Sequence, residues 1–544
     1  MRDLSEWWRG AVIYQVYPRS FQDSNGDGVG DLPGITRRLE HIADLGVDAV
    51  WISPFFKSPM ADYGYDVEDY RQVDPLFGRL ADFEALLEKA HGLGLKVLVD
   101  LVPCHTSDRH PWFLEARQSR DNPRADWYVF AEPKADGTPP NNWLSIFGGV
   151  AWTWEPRRSQ YYLHNFLREQ PQLNWHNPDL AEAMLGEAEF WLRLGIDGFR
   201  VDAIDFALHD PELRDNPVRP PDLETPSGMV AGSPFSYQIH RYQRAHPELS
   251  DKVLLPLRRL VDRYGGGVLL GEVTGHESLE RVARYTDGGG LDIAYTFDLL
   301  RCSAEHAPIR EIVETFESVV TGGWACWSFS NHDITRGISR FAENGAAAKL
   351  QPVLTALLGS LRGTVGFYQG EELGLPDADL ELSELQDPYG IAFYPLFKGR
   401  DGCRTPIPWE GAAPAGGFSS AKPWLPVPED HLARAVDRQS GDEASVLERT
   451  RRFFHWRRTQ PALLTGDIEF LQESGPLYAF LRRHAEQTLL CAFNLGPEPA
   501  EVAAPAGLQA AEGHGFTSRR DGGRIALPGY GAFFGALEAG GDAD

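Results

Sequence analysis

The sequence predicts an α/β fold, a (β/α)8 TIM barrel with a subdomain inserted after the third strand and a C-terminal antiparallel β-sandwich domain. Three observations carry this. Eight short runs rich in Val, Ile and aromatic residues recur along the chain. Most are followed by a loop and a stretch of helical periodicity, the alternation expected of parallel strands covered by helices. At 544 residues the chain is too long for one ordinary module, yet a barrel with insertions absorbs most of it.

The candidate strands are Val12–Pro18, Ala49–Pro54, Lys96–Val102, Gly198–Ala203, Val268–Val273, Ile293–Asp298, Ala325–Asn331 and Thr364–Glu371. Between them, Leu80–Leu93 places Phe83, Leu86, Leu87, Ala90 and Leu93 at helical spacing, and Leu180–Leu194 reads the same way. The rival at fold level is an open doubly wound sheet, but no GxGxxG follows the first strand.

Two segments depart from the repeat. Cys104–Pro178 is rich in Trp and Pro, with PPNNWLSIFGGVAWTW and QYYLHNFL, and a loop of that length without structure of its own is uncommon in a compact chain. After the helical stretch Val446–Gln460, strand-like runs at Leu477–Leu481, Leu489–Phe493 and Gly531–Gly535 are separated by Gly/Pro turns. Residues 1–103 and 179–460 are therefore assigned to the barrel, 104–178 to the inserted subdomain and 461–544 to the C-terminal β domain.

Composition excludes several function classes. With 52 Lys+Arg against 78 Asp+Glu the net charge is −26, which opposes binding to nucleic acid or to an anionic membrane surface. The five cysteines, Cys104, Cys302, Cys326, Cys403 and Cys491, form no CxxC pair and suggest neither a disulfide framework nor a zinc site. The N-terminus MRDLSEWWRGAVIYQVYPRS lacks an apolar h-region, and no stretch reaches the roughly 18 apolar residues of a membrane span. A cytoplasmic protein, monomer or homodimer, is the expectation.

Reactive groups of such a barrel belong at the C-terminal ends of its strands. Strand three ends in VDLVPCHTSD, with Asp100 and His105, and strand four in GFRVDAIDF, where Arg200 and Asp202 stand two apart on one face. Strand five ends in LLGEVTG with Glu272, and strand seven in SFSNHDITR with His332 and Asp333. Convergent carboxylates answer the needs of glycosidic-bond cleavage, which requires a proton donor to the leaving oxygen and a carboxylate beside the anomeric carbon. Arg200 would keep Asp202 ionised, while the apolar run before Glu272 would raise that residue's pKa and hold it as the acid.

A cation loop is also legible. In DSNGDGVGD, Asp23, Asn25, Asp27 and Asp31 stand at positions 1, 3, 5 and 9 of a calcium-loop spacing, with the Val29 carbonyl at 7. Position 12 is Gly34, where an EF-hand carries a bidentate Glu, so an EF-hand is not expected.

The strings YQVYPRSFQDSNGDGVGDL, WISPFFKSPMADYGYDV, DLVPCHTSD, GFRVDA, GEV, SNHDITR and GFYQGEELG occur in this order between about Trp7 and Trp409. In order and spacing the chain resembles the α-amylase superfamily of retaining glycoside hydrolases, and within it the bacterial α-glucosidase and oligo-1,6-glucosidase branch. The resemblance implies Asp202 as nucleophile, Glu272 as general acid/base and Asp333 as the carboxylate that binds the sugar's 2- and 3-hydroxyls. It further implies that Arg200 pairs with Asp202, and that His105 and His332 contact the sugar. Asp62 would grip the non-reducing end, Tyr65 would stack on the ring, and Arg400 would pair with Asp62 and close the pocket. Such a pocket favours release of single terminal glucose units from small neutral, maltose-like α-glucosides, with transglucosylation when a hydroxyl acceptor replaces water.

The same resemblance implies a structural Ca²⁺ or Mg²⁺ in the loop after strand one, and no organic cofactor. Ala203, following the nucleophile, is the small residue this branch associates with α-1,4 linkages. Phe147 and Phe166 are candidate walls of the aglycone site, or ordinary core. Cys104 departs from the family pattern, which has Asn there, and the barrel–subdomain calcium that this Asn helps bind in many amylases is not expected. Sucrose hydrolase, sucrose isomerase, trehalose synthase and oligo-1,6-glucosidase remain alternatives with the same triad. A catalytically dead relative is opposed by the intact Asp202, Glu272 and Asp333.

Overall fold

A computed structural model describes residues 6–223, 225, 232–302, 306–342, 345–471 and 477–537. Eight parallel strands run as β1 (Val12–Val16), β2 (Ala49–Ile52), β3 (Lys96–Leu101), β4 (Gly198–Val201), β5 (Val268–Val273), β6 (Ile293–Thr296), β7 (Cys326–Trp327) and β8 (Thr364–Tyr368). Their order in the sheet is β6-β5-β4-β3-β2-β1-β8-β7. A parallel bridge from Ala294 to Ala325 brings the two edges together and all but closes the barrel. Every residue of β1, β2, β4 and β5 is buried, as expected of strands covered on both faces.

All eight expected runs contain a barrel strand, and the seventh is much the shortest. Beyond Trp327 the chain leaves the ladder: Ser328 Oγ donates to the Ser330 carbonyl at 2.6 Å, and Asn331 pairs with Ile334 instead. This early exit frees His332 and Asp333 to enter the barrel mouth.

The covering helices follow their apolar spacing. Leu80–Gly92 buries Phe83, Leu86, Leu87 and Ala90 on one face. Pro178–Leu194 begins at Asn177, whose side chain accepts from the amides of Asp179 and Leu180, and ends at Gly195 with φ 99°.

Between β3 and that helix, Phe130–Ala131, Trp152–Glu155 and Gln160–Leu163 form a three-stranded antiparallel sheet. Its own small core centres on Trp143, Trp152 and Leu163. Toward the C-terminus a five-stranded and a three-stranded antiparallel sheet enclose Ala479, Leu481, Leu490, Val502, Ile525 and Phe533. The outer face of the larger sheet packs back on the barrel: Phe534 lies 5.8 Å from Phe453 and 4.8 Å from Trp456, on the helix Val446–Arg457. Among the described residues no helix is long and apolar enough to cross a membrane.

Candidate active site

Strand register assembles the centre of the barrel mouth. Asp100 on β3 stands opposite Arg200 on β4, and Glu272 on β5 stands opposite Tyr295 on β6. Asp202 lies one residue past β4, its amide donating to the Leu101 carbonyl at 2.9 Å. The buried guanidinium of Arg200 serves as the hub. Its Nη1 donates to Asp202 Oδ1 at 2.6 Å and Asp100 Oδ1 at 2.5 Å, while Nη2 donates to Glu272 Oε2 and, at 2.7 Å, to the Tyr295 hydroxyl. Asp100 is completed by the Trp51 indole N–H at 2.7 Å.

This cluster sets the acidities. Burial pushes Glu272 up to about 7 against the opposing pull of Arg200, with the charge of Asp333 adding to the rise. Burial also raises Asp202 well above the ordinary carboxylate range, more than Arg200 lowers it. This runs against the expectation that Arg200 keeps Asp202 ionised: in the free pocket desolvation outweighs one guanidinium shared among three carboxylates. The charge of Glu272 adds to the rise of Asp202.

Asp333 behaves oppositely. Burial raises it, but the neighbouring cationic groups outweigh that and hold it well below the usual range. Burial keeps His332 itself neutral, so the guanidiniums of Arg400 and Arg404 carry the effect. Arg404 Nη2 lies 2.9 Å and Arg400 Nη1 3.3 Å from Asp333 Oδ1. The Gln15 amide donates to His332 Nδ1 at 2.7 Å, which leaves the ring proton on Nε2, 2.6 Å from the Tyr65 hydroxyl. The Tyr65 ring stacks on His332 with centroids 5.5 Å apart.

One end of the site is closed by ion pairs. Arg400 Nη2 meets Asp62 Oδ1 and Asp387 Oδ1, each at 2.8 Å. Gln170 donates to Asp62 Oδ2 at 3.1 Å and lies 3.1 Å from His105 Nε2. His105 is pushed down to about 4 by burial, so it is neutral, and its buried Nδ1 has no protein partner among the described residues.

Of these groups Asp62, Tyr65, His105, Asp202, Glu272, Asp333 and Arg400 line one pocket, together with Ala203, Phe147 and Phe166, while Arg200 and His332 lie buried behind its wall. Phe147 and Phe166 are half-buried and 6.0 Å apart, with Arg400 5.3 Å over the Phe147 ring. Ala203 adopts a left-handed conformation (φ 40°, ψ 42°), strained for a residue with a Cβ. Cys104, fully buried with its thiol pKa raised by burial, donates to the Ala203 carbonyl at 3.1 Å.

The cation loop does not join this pocket. Asp23, Asn25 and Asp27 each accept the amide N–H two residues ahead, from Asn25, Asp27 and Val29, at 2.9 Å. Asp31 accepts from Ser24 at 2.8 Å and caps the helix Leu32–Asp44 through the Gly34 amide at 2.7 Å. Among the described residues no three His, Cys, Asp or Glu gather as a metal cluster. A cation here would rest on a mixed oxygen set in which Asn25 and the Val29 carbonyl join the acids.

Sequence reasoning missed Tyr295, Asp387, Arg404, Gln15 and Gln170. Tyr295 was legible in principle, as an inward residue on a strand already recognised. Gln15 likewise sits on the recognised first strand, whereas Asp387, Arg404 and Gln170 arrive from loops with no local signal.

A (β/α)8 barrel whose strand ends gather carboxylates around a buried arginine, inside a half-enclosed pocket, defines a hydrolytic or group-transfer enzyme of the barrel class. The sequence matches the alpha amylase catalytic domain over residues 15–466, and the chain belongs to the α-amylase family. It is 54% identical, over 98% of its length and 97% of the relative's, to a probable alpha-glucosidase of Rhizobium meliloti (strain 1021). It is 35% identical to an oligo-1,6-glucosidase of Heyndrickxia coagulans, covering 90% of this chain and 92% of that one. The crystal structure of an alpha-glucosyl transfer enzyme, XgtA, superposes with a TM-score of 0.95 at 54% identity, covering 98% of this chain and 99% of that one.

Proposed function

We propose that the protein is a retaining, exo-acting α-glucosidase that releases glucose from the non-reducing end of short α-glucosides. The observation that carries this is the single guanidinium of Arg200 holding Asp202 and Glu272 on its two terminal nitrogens. Carboxylates held on one guanidinium suit the short carboxyl separation of retaining enzymes, about 5–5.5 Å, better than the wider spacing of inverting ones.

The chemistry follows from the assigned roles. Ionised Asp202 attacks the anomeric carbon as Glu272 protonates the glycosidic oxygen; the C–O bond breaks and the aglycone leaves as an alcohol. Glu272, now a carboxylate, takes a proton from water, whose oxygen attacks the same carbon and releases Asp202. The first step requires the proton on Glu272 and Asp202 ionised. Asp333, held ionised, stabilises the positive sugar ring and binds its 2- and 3-hydroxyls, with His105 as a further hydroxyl contact; His332, expected to contact the sugar, has both ring nitrogens taken by Gln15 and Tyr65 and instead positions Tyr65. Asp62 and Arg400 seal the terminal end, which favours an exo mode.

The small Ala203 beside Asp202 supports preference for α-1,4 linkages. Product analysis on maltose, isomaltose, sucrose and trehalose tests it: fastest release from maltose is expected, and faster turnover of isomaltose overturns the linkage preference. The likeness to a glucosyl transfer enzyme supports a second outcome at the same intermediate, attack by an acceptor hydroxyl in place of water.

The Asp23–Asp31 loop is proposed to hold a structural Ca²⁺ or Mg²⁺ through Asp23, Asn25, Asp27, the Val29 carbonyl and Asp31. Five free, buried cysteines suit a reducing compartment, and a cytoplasmic monomer or homodimer is the proposed setting.

A further inference from the structure

Arg244 lines the active-site cavity and is 6% exposed, yet among the described residues it forms no ion pair with a carboxylate. Among the described residues its one hydrogen bond runs from Nη1 to Thr274 Oγ1, at 2.8 Å. Its guanidinium otherwise lies 5.2 Å over the Phe206 ring. The acid of this neighbourhood, Asp205, is already committed: it pairs with Arg281 at 3.3 Å and accepts from the Thr274 amide at 3.0 Å and the Tyr285 hydroxyl at 3.2 Å. Two buried guanidiniums thus share one carboxylate. Burial and the charge of Arg281 push Arg244 down only to about 10, so it remains a cation at neutral pH.

The backbone makes room for this cation. Gly275, at φ 94°, would place a Cβ 2.0 Å from Arg244 Nη2, so a larger residue would displace the guanidinium. Thr274 and Gly275 directly follow β5, two and three residues beyond Glu272. Glu272 faces the leaving group it protonates, and the bond to Thr274, two residues beyond it, associates Arg244 with the aglycone side. A buried cation with only a share of one carboxylate is costly, and an anionic ligand group would supply the missing charge through hydrogen bonds about twice as strong as neutral ones. With a net charge of −26 the protein offers no general attraction to anions, which makes this local excess specific.

We propose that Arg244 receives an anionic group, a carboxylate or a phosphate, on the aglycone, so that the enzyme's substrates and acceptors include α-glucosides of acidic polyols and sugar phosphates. This rests on the α-glucosidase reading of the pocket.

The test compares kcat/KM of the native enzyme for maltobionate, for its neutral counterpart maltitol, and for maltose phosphorylated on its reducing sugar. At least one anionic substrate is expected to exceed maltitol by about tenfold or more, the scale of one charge-assisted hydrogen bond, and the two anionic arms tell carboxylate from phosphate. Arg244→Gln should collapse that ratio to about one, and Arg244→Lys should keep part of it. A native ratio of one or less for both anions, or an unchanged ratio in Arg244→Gln, overturns the proposal. Should Arg244→Gln not fold, inhibition of the native enzyme by gluconate against sorbitol decides: gluconate must bind about tenfold more tightly. Failure to cleave maltose or any of these glucosides would refute the α-glucosidase reading instead.

Discussion

Arg400 Nη2 lies 2.8 Å from Asp62 Oδ1, joining two loops 338 residues apart in the chain. Arg400 simultaneously meets Asp387 and Asp333, so the closed end of the cavity is one network of buried charges. Removing one partner from such a network leaves a charge uncompensated, which is why its members act together.

Asp62→Ala should lower kcat/KM on maltose by a factor on the order of 100 or more, because a sugar hydroxyl loses a charged, buried acceptor. Asp387 still holds Arg400, so the fold should survive, as circular dichroism would confirm. Steady-state kinetics on maltose checks the expectation, and an unchanged kcat/KM removes Asp62 from substrate binding.

The pH profile follows from Glu272. Its pKa is raised to about 7, and it must be protonated to donate to the leaving oxygen. Activity should therefore fall as pH rises through about 7, approaching a tenfold loss per unit above it. A profile of kcat/KM between pH 5 and 10 reads this limb directly. Flat activity to pH 9 would exclude Glu272 as the acid in this environment.

Much of this was legible in the chain, for stated reasons. All eight barrel strands announce themselves because parallel strands are buried on both faces and read as apolar runs. Asp202, Glu272 and Asp333 fall at strand ends, where position alone marks them. The pairing of Arg400 with Asp62 came from resemblance, not spacing, and the structure brings the two together. Asp387 and Arg404 could not be found locally, since their roles arise from loops folding over the mouth. The pKa of Asp202 was misjudged because sequence shows a neighbouring Arg200 but not that Asp100 and Glu272 share it.

Cys104 offers a separate test. Its thiol is the donor to the Ala203 carbonyl behind the nucleophile. Cys104→Ala leaves that carbonyl without this donor and should cost about 1–3 kcal/mol of stability in urea unfolding. Cys104→Ser should recover most of the loss. Equal stability of all three proteins would reduce the contact to simple packing.

Chelation addresses the loop after β1. EDTA should lower the melting temperature by a few degrees, and added Ca²⁺ or Mg²⁺ should restore it, about 1 kcal/mol at the transition corresponding to roughly 2–4 °C for a chain of a couple of hundred residues and less for a longer one. Asp27→Ala should abolish the response. Identical melting curves with and without chelator would leave the loop an ordinary turn stabilised by its Asx bonds.

The central claim is that Asp202 forms a covalent bond to glucose while Glu272 moves the proton. Incubation with 5-fluoro-α-glucosyl fluoride, followed by mass spectrometry of the intact protein and its peptides, tests it most directly. The account predicts one fluoroglucosyl adduct, located on Asp202 and lost on reactivation with an acceptor sugar. An adduct on Glu272 or Asp333, or no adduct together with β-glucose as the first product of maltose cleavage, would contradict it.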